Sequence, residues 1–103
     1  TAEPAAAMAF GHLVGGTRLI LLRGPSEATG CEIWGKCEWE NSGGSIKDRA
    51  AWSMVCGAEE DGILRRGERG LIVEGTAGNT GIGLSLAAAA LGYEALIVIP
   101  ETQ

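Results

Sequence analysis

Apolar positions along the chain come in short blocks whose period changes from block to block. Leu19-Ile20-Leu21-Leu22 is a continuous apolar run that stops at Arg23-Gly24-Pro25, the pattern of a buried strand followed by a turn. Residues 26–29 offer one helical turn before Gly30. Over 31–39 the pattern alternates, with Cys31, Ile33, Gly35, Cys37 and Trp39 on one side and Glu32, Trp34, Lys36 and Glu38 on the other. This predicts one half-buried strand. Asn41-Ser42-Gly43-Gly44 breaks it, and Ser45-Ile46-Lys47-Asp48 then has the Ser-x-x-acid spacing of a helix start. Ser45 is the expected N-cap, with Asp48 facing the unsatisfied N–H groups of the first turn. The helix is expected to run to about Asp61, ahead of Gly62. Ile46, Ala50, Met54, Gly57 and Ala58 recur at three-to-four spacing as its buried stripe.

The last third reads as strand, helix, strand: Leu71-Ile72-Val73-Glu74, a loop over 75–79, a helix over 80–91 with a small-residue face, and a strand over 95–99 closed by Pro100. Short connections make this a βαβ unit with its two strands parallel. If 31–39 joins them in parallel, the fold class is α/β, three-layered, with a mostly parallel sheet and flanking helices. The nearly charge-free segment 82–100 approaches the length of a membrane span. Gly92-Tyr93-Glu94 divides it into an Ala-rich half and a β-branched half, so a helix and a strand are expected instead.

Composition narrows the function classes. The 103 residues are 46% apolar with a net charge of −5, and 17 glycines stand beside only 3 prolines with no Gly-X-Y period. Collagen and low-complexity disorder are excluded. The acidic balance gives no reason to expect nucleic acid or an anionic membrane surface as partner. Residues 1–10 are Ala-rich but lack the basic start and long apolar run of a signal peptide. Cys31 and Cys37 sit six residues apart in one expected strand, about 20 Å, too far to bridge. There is no C-x-x-C or Cys/His cluster and His12 is alone, so no metal site is expected. The thiols read as small core hydrophobes in a reducing, cytoplasmic compartment. Trp34, Trp39 and Trp52 are expected in the core or in domain contacts, Glu59-Glu60-Asp61 at a solvated helix end, and Arg65, Arg66 and Arg69 in surface pairs.

Candidate chemistry concentrates in two glycine-rich loops. In the expected topology 41–47 and 75–80 both leave the carboxyl end of a strand and enter a helix, the edge at which open α/β sheets bind ligands. Lys47 would place its ammonium at the positive end of the helix dipole, which is unfavourable by about 0.3–1 kcal/mol. That field favours the neutral amine that a Schiff-base lysine must present. The plain alternative is a solvated lysine on a helix end. Gly75-Thr76-Ala77-Gly78-Asn79-Thr80-Gly81-Ile82-Gly83 matches neither the dinucleotide fingerprint nor the Walker A pattern. Its backbone N–H groups and the helix N-terminus could instead seat a small anion such as a carboxylate. The plain alternative there is a tight turn with Asn79 and Thr80 as caps.

Taken together, Asn41-Ser42-Gly43-Gly44-Ser45-Ile46-Lys47-Asp48-Arg49-Ala50 and Glu74-Gly75-Thr76-Ala77-Gly78-Asn79-Thr80-Gly81-Ile82-Gly83-Leu84 resemble the two signature segments of the cysteine synthase family. These are fold-type II, pyridoxal-phosphate-dependent β-replacement enzymes. Ile97-Val98-Ile99-Pro100-Glu101-Thr102-Gln103 resembles the strand and turn that follow. The resemblance implies that Lys47 is the lysine bonded to pyridoxal 5'-phosphate as a Schiff base and the shuttle for the α-proton. Asn79 would bond the cofactor's ring oxygen, and Thr76, Gly78, Asn79 and Thr80 would form the loop that closes on the substrate carboxylate. It also implies the conversion of O-acetyl-L-serine and sulfide to L-cysteine through an aminoacrylate, in a homodimer.

Cystathionine β-synthase shares both motifs. The family usually has Pro at Ser42, Asn-Thr-Pro at Gly16-Thr17-Arg18, and often Ser at Ala77. Its phosphate-cupping segments lie beyond this sequence. The expectation is therefore a fragment: residues 1–30 an arm of the larger domain, and 31–103 part of the smaller domain. The fragment alone would be inactive or a silent domain.

Overall fold

A computed structural model describes residues 10–102; the expectation for residues 1–10 falls almost wholly outside it. The chain runs β1 (Leu19–Leu21), α1 (Arg23–Thr29), β2 (Trp34–Lys36), a 3-10 turn (Glu38–Glu40), α2 (Lys47–Glu60), β3 (Leu71–Gly75), α3 (Asn79–Leu91) and β4 (Glu94–Val98). The βαβ unit forms as the pattern predicts. β3 and β4 pair in parallel, with Leu71 opposite Glu94 and Gly75 opposite Val98. Gly92, at φ 82°, stops α3 in the left-handed conformation that glycine adopts without strain. No helix among the described residues is long and apolar enough to cross a membrane.

The expected strand over 31–39 is corrected. Only Trp34–Lys36 is strand, and it pairs antiparallel with β1 in a sheet of its own, Leu19 opposite Lys36 and Leu21 opposite Trp34. Alternation specifies a half-buried strand but not its partner, and the nearest apolar run takes the pairing. At one end Ser26 Oγ accepts the Ile33 N–H at 2.9 Å. At the other the chain curls into the 3-10 turn, where Glu38 and Asn41 bind side chains instead of a neighbouring strand. Cys37 is buried, but Cys31 is exposed rather than core. Trp34 and Trp39 are exposed as well, and only Trp52 packs inward, its ring 5.3 Å from that of Phe10.

The core lies between α2, α3 and one face of β3–β4, and contains Phe10, Ala51, Val55, Leu84, Ala87, Ala88, Leu91 and Tyr93. The buried stripe of α2 is therefore not the expected one. Asp48, Ala51 and Val55 point inward while Ile46, Ala50 and Met54 are exposed, a rotation of about 100°, one residue of helix. The cause is the small-residue face of α3. A Cβ built on Gly83 would stand 2.9 Å from the Ala51 Cβ, so the helices approach closely enough to require alanine opposite glycine, and neither Met54 nor Ile46 would fit there.

The expected solvated end at Glu59 is also corrected. Its carboxylate accepts the Tyr93 hydroxyl at 2.6 Å and pairs with Arg66 at 2.9 Å. This ties the end of α2 to the β3–β4 unit. Burial, reinforced by Glu59, pushes the Tyr93 hydroxyl up to about 12. Arg66 and Arg69 form the expected surface pairs, with Glu59 and Glu94.

Candidate cofactor and substrate site

The loop before Lys47 is held by side chains the sequence did not single out. Asn41 is buried; its Oδ1 accepts the Gly15 N–H at 2.7 Å, and its Nδ2 donates to the Ser45 carbonyl at 3.0 Å and to Glu38. Glu38 in turn receives the Arg49 guanidinium at 2.7 Å and the Thr17 hydroxyl at 2.6 Å. Arg49, followed by Thr17 and Asn41, holds the Glu38 carboxyl far below the ordinary range, at about 2. Glu40 is held low as well, by the backbone N–H and then the guanidinium of Arg18. Thr17, which keeps the family pattern, and Arg18, which departs from it, are thus anchors of the 3-10 turn.

α2 begins at Lys47. The expected Ser45 N-cap is corrected: Ile46 stands at the cap position with no side-chain cap bond, and Ser45, one residue further out, only accepts the Lys47 N–H at 3.2 Å. Asp48 does not face the first turn; it reaches back out of the helix, and its Oδ2 accepts the Gly43 N–H. Lys47 is exposed, and its amine makes no hydrogen bond or ion pair among the described residues.

The second loop leaves the carboxyl end of β3. Thr76 Oγ1 accepts the Gly78 N–H at 3.3 Å, and Gly78 is the residue before α3. The capping alternative for Asn79 and Thr80 is not realised: the helix start carries no side-chain cap, and both side chains are without hydrogen-bond partners among the described residues. Around Gly75 and Gly78 a built Cβ would meet nothing within 4 Å, so a ligand can approach this backbone closely. Beside the loop lies an open groove of about 470 Å³ lined by Gly75, Thr76, Ala77, Val98, Ile99 and Pro100.

Two glycine contacts bring the loops together. A Cβ on Gly81 would lie 3.0 Å from the Thr76 methyl, and one on Gly83 3.2 Å from the Lys47 carbonyl oxygen. The loop therefore folds over the first turn of α3, and the start of α2 packs on the next. Of the expected site residues, Thr76 lines the groove; Lys47, Gly78, Asn79 and Thr80 stand outside its walls. The convergence does not need β2 in the parallel sheet, because helix packing supplies it.

These features, an α/β unit with two glycine loops meeting at helix N-termini beside an unpaired lysine, define a class. The family of pyridoxal-phosphate-dependent enzymes matches residues 11–103, and the chain belongs to that family. Among curated relatives it is 57% identical over 90 residues to cysteine synthase 1 of Neurospora crassa, covering 87% of this chain and 23% of that protein. It is 50% identical over 90 residues to the cystathionine beta-synthase of Apis mellifera, covering 85% of this chain and 18% of that one. Among solved structures it superposes on a hydrogen sulfide-producing enzyme from Fusobacterium nucleatum with a TM-score of 0.79 at 36% identity, covering 91% of this chain and 30% of that one. An O-ureido-L-serine synthase gives 0.80 at 40% identity, covering 90% and 28%. The fold is that of the fold-type II enzymes. The chain spans about a quarter of the length of the relatives it matches.

The residues present fit the cofactor. An amine and two side-chain donors without partners among the described residues, and glycine backbone with open space around it, are what an aldehyde, a ring oxygen and a carboxylate require.

Proposed function

We propose that the protein is a cysteine synthase, a pyridoxal-phosphate-dependent enzyme that makes L-cysteine from O-acetyl-L-serine and sulfide. The observation that carries the reading is that Lys47, Asn79 and Thr80 leave their polar atoms unused among the described residues at the point where Gly81 and Gly83 bring two loops together. Structural caps and surface pairs would have used them.

Lys47 would hold the cofactor at its aldehyde carbon and Asn79 at its ring oxygen. Thr76, Gly78, Asn79 and Thr80 would bind the substrate carboxylate, with the N-terminal dipole of α3 adding partial positive charge. When bound, pyridoxal phosphate supplies the electron withdrawal that loosens the substrate's α-hydrogen and its β-leaving group. The Lys47 amine takes and returns the α-proton, for which it must be neutral and within hydrogen-bond reach. No residue here is assigned to the cofactor phosphate; the remaining length of the relatives is the natural place for it. In this reading residues 1–30 belong to the larger domain and 31–103 to the smaller. The whole enzyme is a cytoplasmic homodimer, and the 103 residues alone retain little cofactor.

The 50% identity to a cystathionine beta-synthase favours one second reading, in which a larger thiol replaces sulfide. The full-length protein, supplied with pyridoxal phosphate, O-acetyl-L-serine and sulfide, is expected to release L-cysteine, and Lys47→Ala to abolish it. Turnover only with serine and a thiol amino acid would select the second reading.

A further inference from the structure

Asp48 is the largest fully buried side chain among the described residues. Its Oδ2 accepts the Gly43 N–H, while Oδ1 has no partner among the described residues. Glycine encloses it on both sides: a Cβ on Gly43 would collide with the carboxylate, and one on Gly83 would stand 3.2 Å from Oδ1. Gly43 belongs to the loop that delivers Lys47, and Gly83 to the second turn of α3, directly after the loop over 76–80. Neither residues 41–46 nor α3 carries a titratable side chain, and Arg49 is engaged by Glu38. A buried carboxylate oxygen without a partner is costly, and a small apolar residue would fill the same slot without that cost. The acid is therefore placed for what it joins.

We propose that Asp48 is a positioning residue: wedged between Gly43 and Gly83, it locks the lysine-bearing loop onto the start of α3 and so fixes Lys47 relative to the loop over 76–80. The functional part of this rests on reading Lys47 as the cofactor lysine. Asn at this position keeps the shape and the acceptor for Gly43; Ala keeps neither.

Amide hydrogen exchange on the full-length protein without cofactor tests the lock. The Gly43 amide is expected to be protected although it lies in a loop. Asp48→Ala should raise its exchange about tenfold or more, the factor associated with losing one charge-assisted hydrogen bond, and should loosen the first turn of α3 with it. Asp48→Asn should restore most of the protection. Val55→Ala, a core deletion on the same helix, should lower stability without this local effect. Borohydride trapping of pyridoxal phosphate on Lys47 should fall with Asp48→Ala and recover with Asp48→Asn. A Gly43 amide unprotected in the wild-type chain overturns the proposal, as does trapping unchanged by Asp48→Ala. If Asp48→Ala does not fold, the wild-type exchange decides. Absence of trapping in a wild-type chain whose Gly43 is protected overturns the cofactor reading of Lys47 instead.

Discussion

Two helical glycines, Gly57 in α2 and Gly83 in α3, are expected to respond to alanine with opposite signs. In both, alanine gains about 1 kcal/mol of helix propensity. At Gly57 the new Cβ meets nothing within 4 Å, so the gain stands. At Gly83 it would meet the Ala51 Cβ at 2.9 Å, the Lys47 carbonyl oxygen at 3.2 Å and Asp48 Oδ1 at 3.2 Å. Two of these are backbone or a bare methyl that cannot rotate away, so the helices must separate by about half an ångström or more to restore ordinary contact near 3.5–4.0 Å. Overpacking of this kind costs about 1–3 kcal/mol.

Because the propensity gain is common to both variants, the difference between them isolates the overpacking. It corresponds to about 4–8 °C of melting temperature per kcal/mol for a domain near this size. Denaturant unfolding followed by circular dichroism, with Gly57→Ala and Gly83→Ala measured in parallel, provides the comparison. Equal stabilisation by both would refute the close approach of α2 and α3, and with it the convergence of the two loops.

Three further outcomes follow from side chains in the hydrogen-bond networks and at the second loop. The Glu38 carboxyl is held at about 2 against an ordinary 4.5, so the stability it brings is complete above roughly pH 5 and is lost as pH falls toward 2. Arg49→Met should remove most of that acid-side slope in a pH series of unfolding midpoints. Tyr93→Phe removes the hydroxyl bonded to Glu59 and should cost about 1 kcal/mol. The same change should erase a loss of stability between pH 10 and about 12, since the raised Tyr93 value means stability present below 10 and lost as the hydroxyl ionises. Asn79→Ala should change stability by less than about 0.5 kcal/mol, because the side chain caps nothing. In the full-length protein it should weaken pyridoxal phosphate binding at least several-fold by equilibrium titration; a stability loss near 1 kcal/mol would return it to the role of a cap.

The βαβ unit was legible because both of its strands and its helix carry their own period and stop signals, down to Gly92. The positions of the two glycine loops, each leading into a helix at Lys47 and Asn79, were legible from the glycine clusters and the helix patterns that follow them. What the sequence hid was tertiary. The alternating stretch around Trp34 looked the same whether it joined a parallel sheet or the adjacent run at Leu19, and proximity decided. The face of α2 was misread because Ile46 and Met54 are more apolar than Ala51, yet only alanine permits contact with Gly83. Asp48, Glu38 and Asn41 read as cap, strand and breaker; their distant partners Gly83, Arg49 and Gly15 lie 35, 11 and 26 positions away. One signal was available: Gly43 five residues ahead of Asp48, a glycine where a carboxylate must approach the backbone.

The other face of β3–β4, with Leu71, Val73, Leu96 and Val98, is half-exposed in this chain. Parallel strands are ordinarily covered on both faces. That agrees with a chain that spans about a quarter of its relatives.

The central claim is that Lys47 is the lysine that holds pyridoxal phosphate. Its most direct test is to load the full-length protein with stoichiometric cofactor, reduce with borohydride, digest, and locate the pyridoxyl mass by peptide sequencing. The account predicts a single modified site at Lys47 and none at Lys36, whose amine is bonded to the Thr17 carbonyl. Modification elsewhere with Lys47 intact would contradict it.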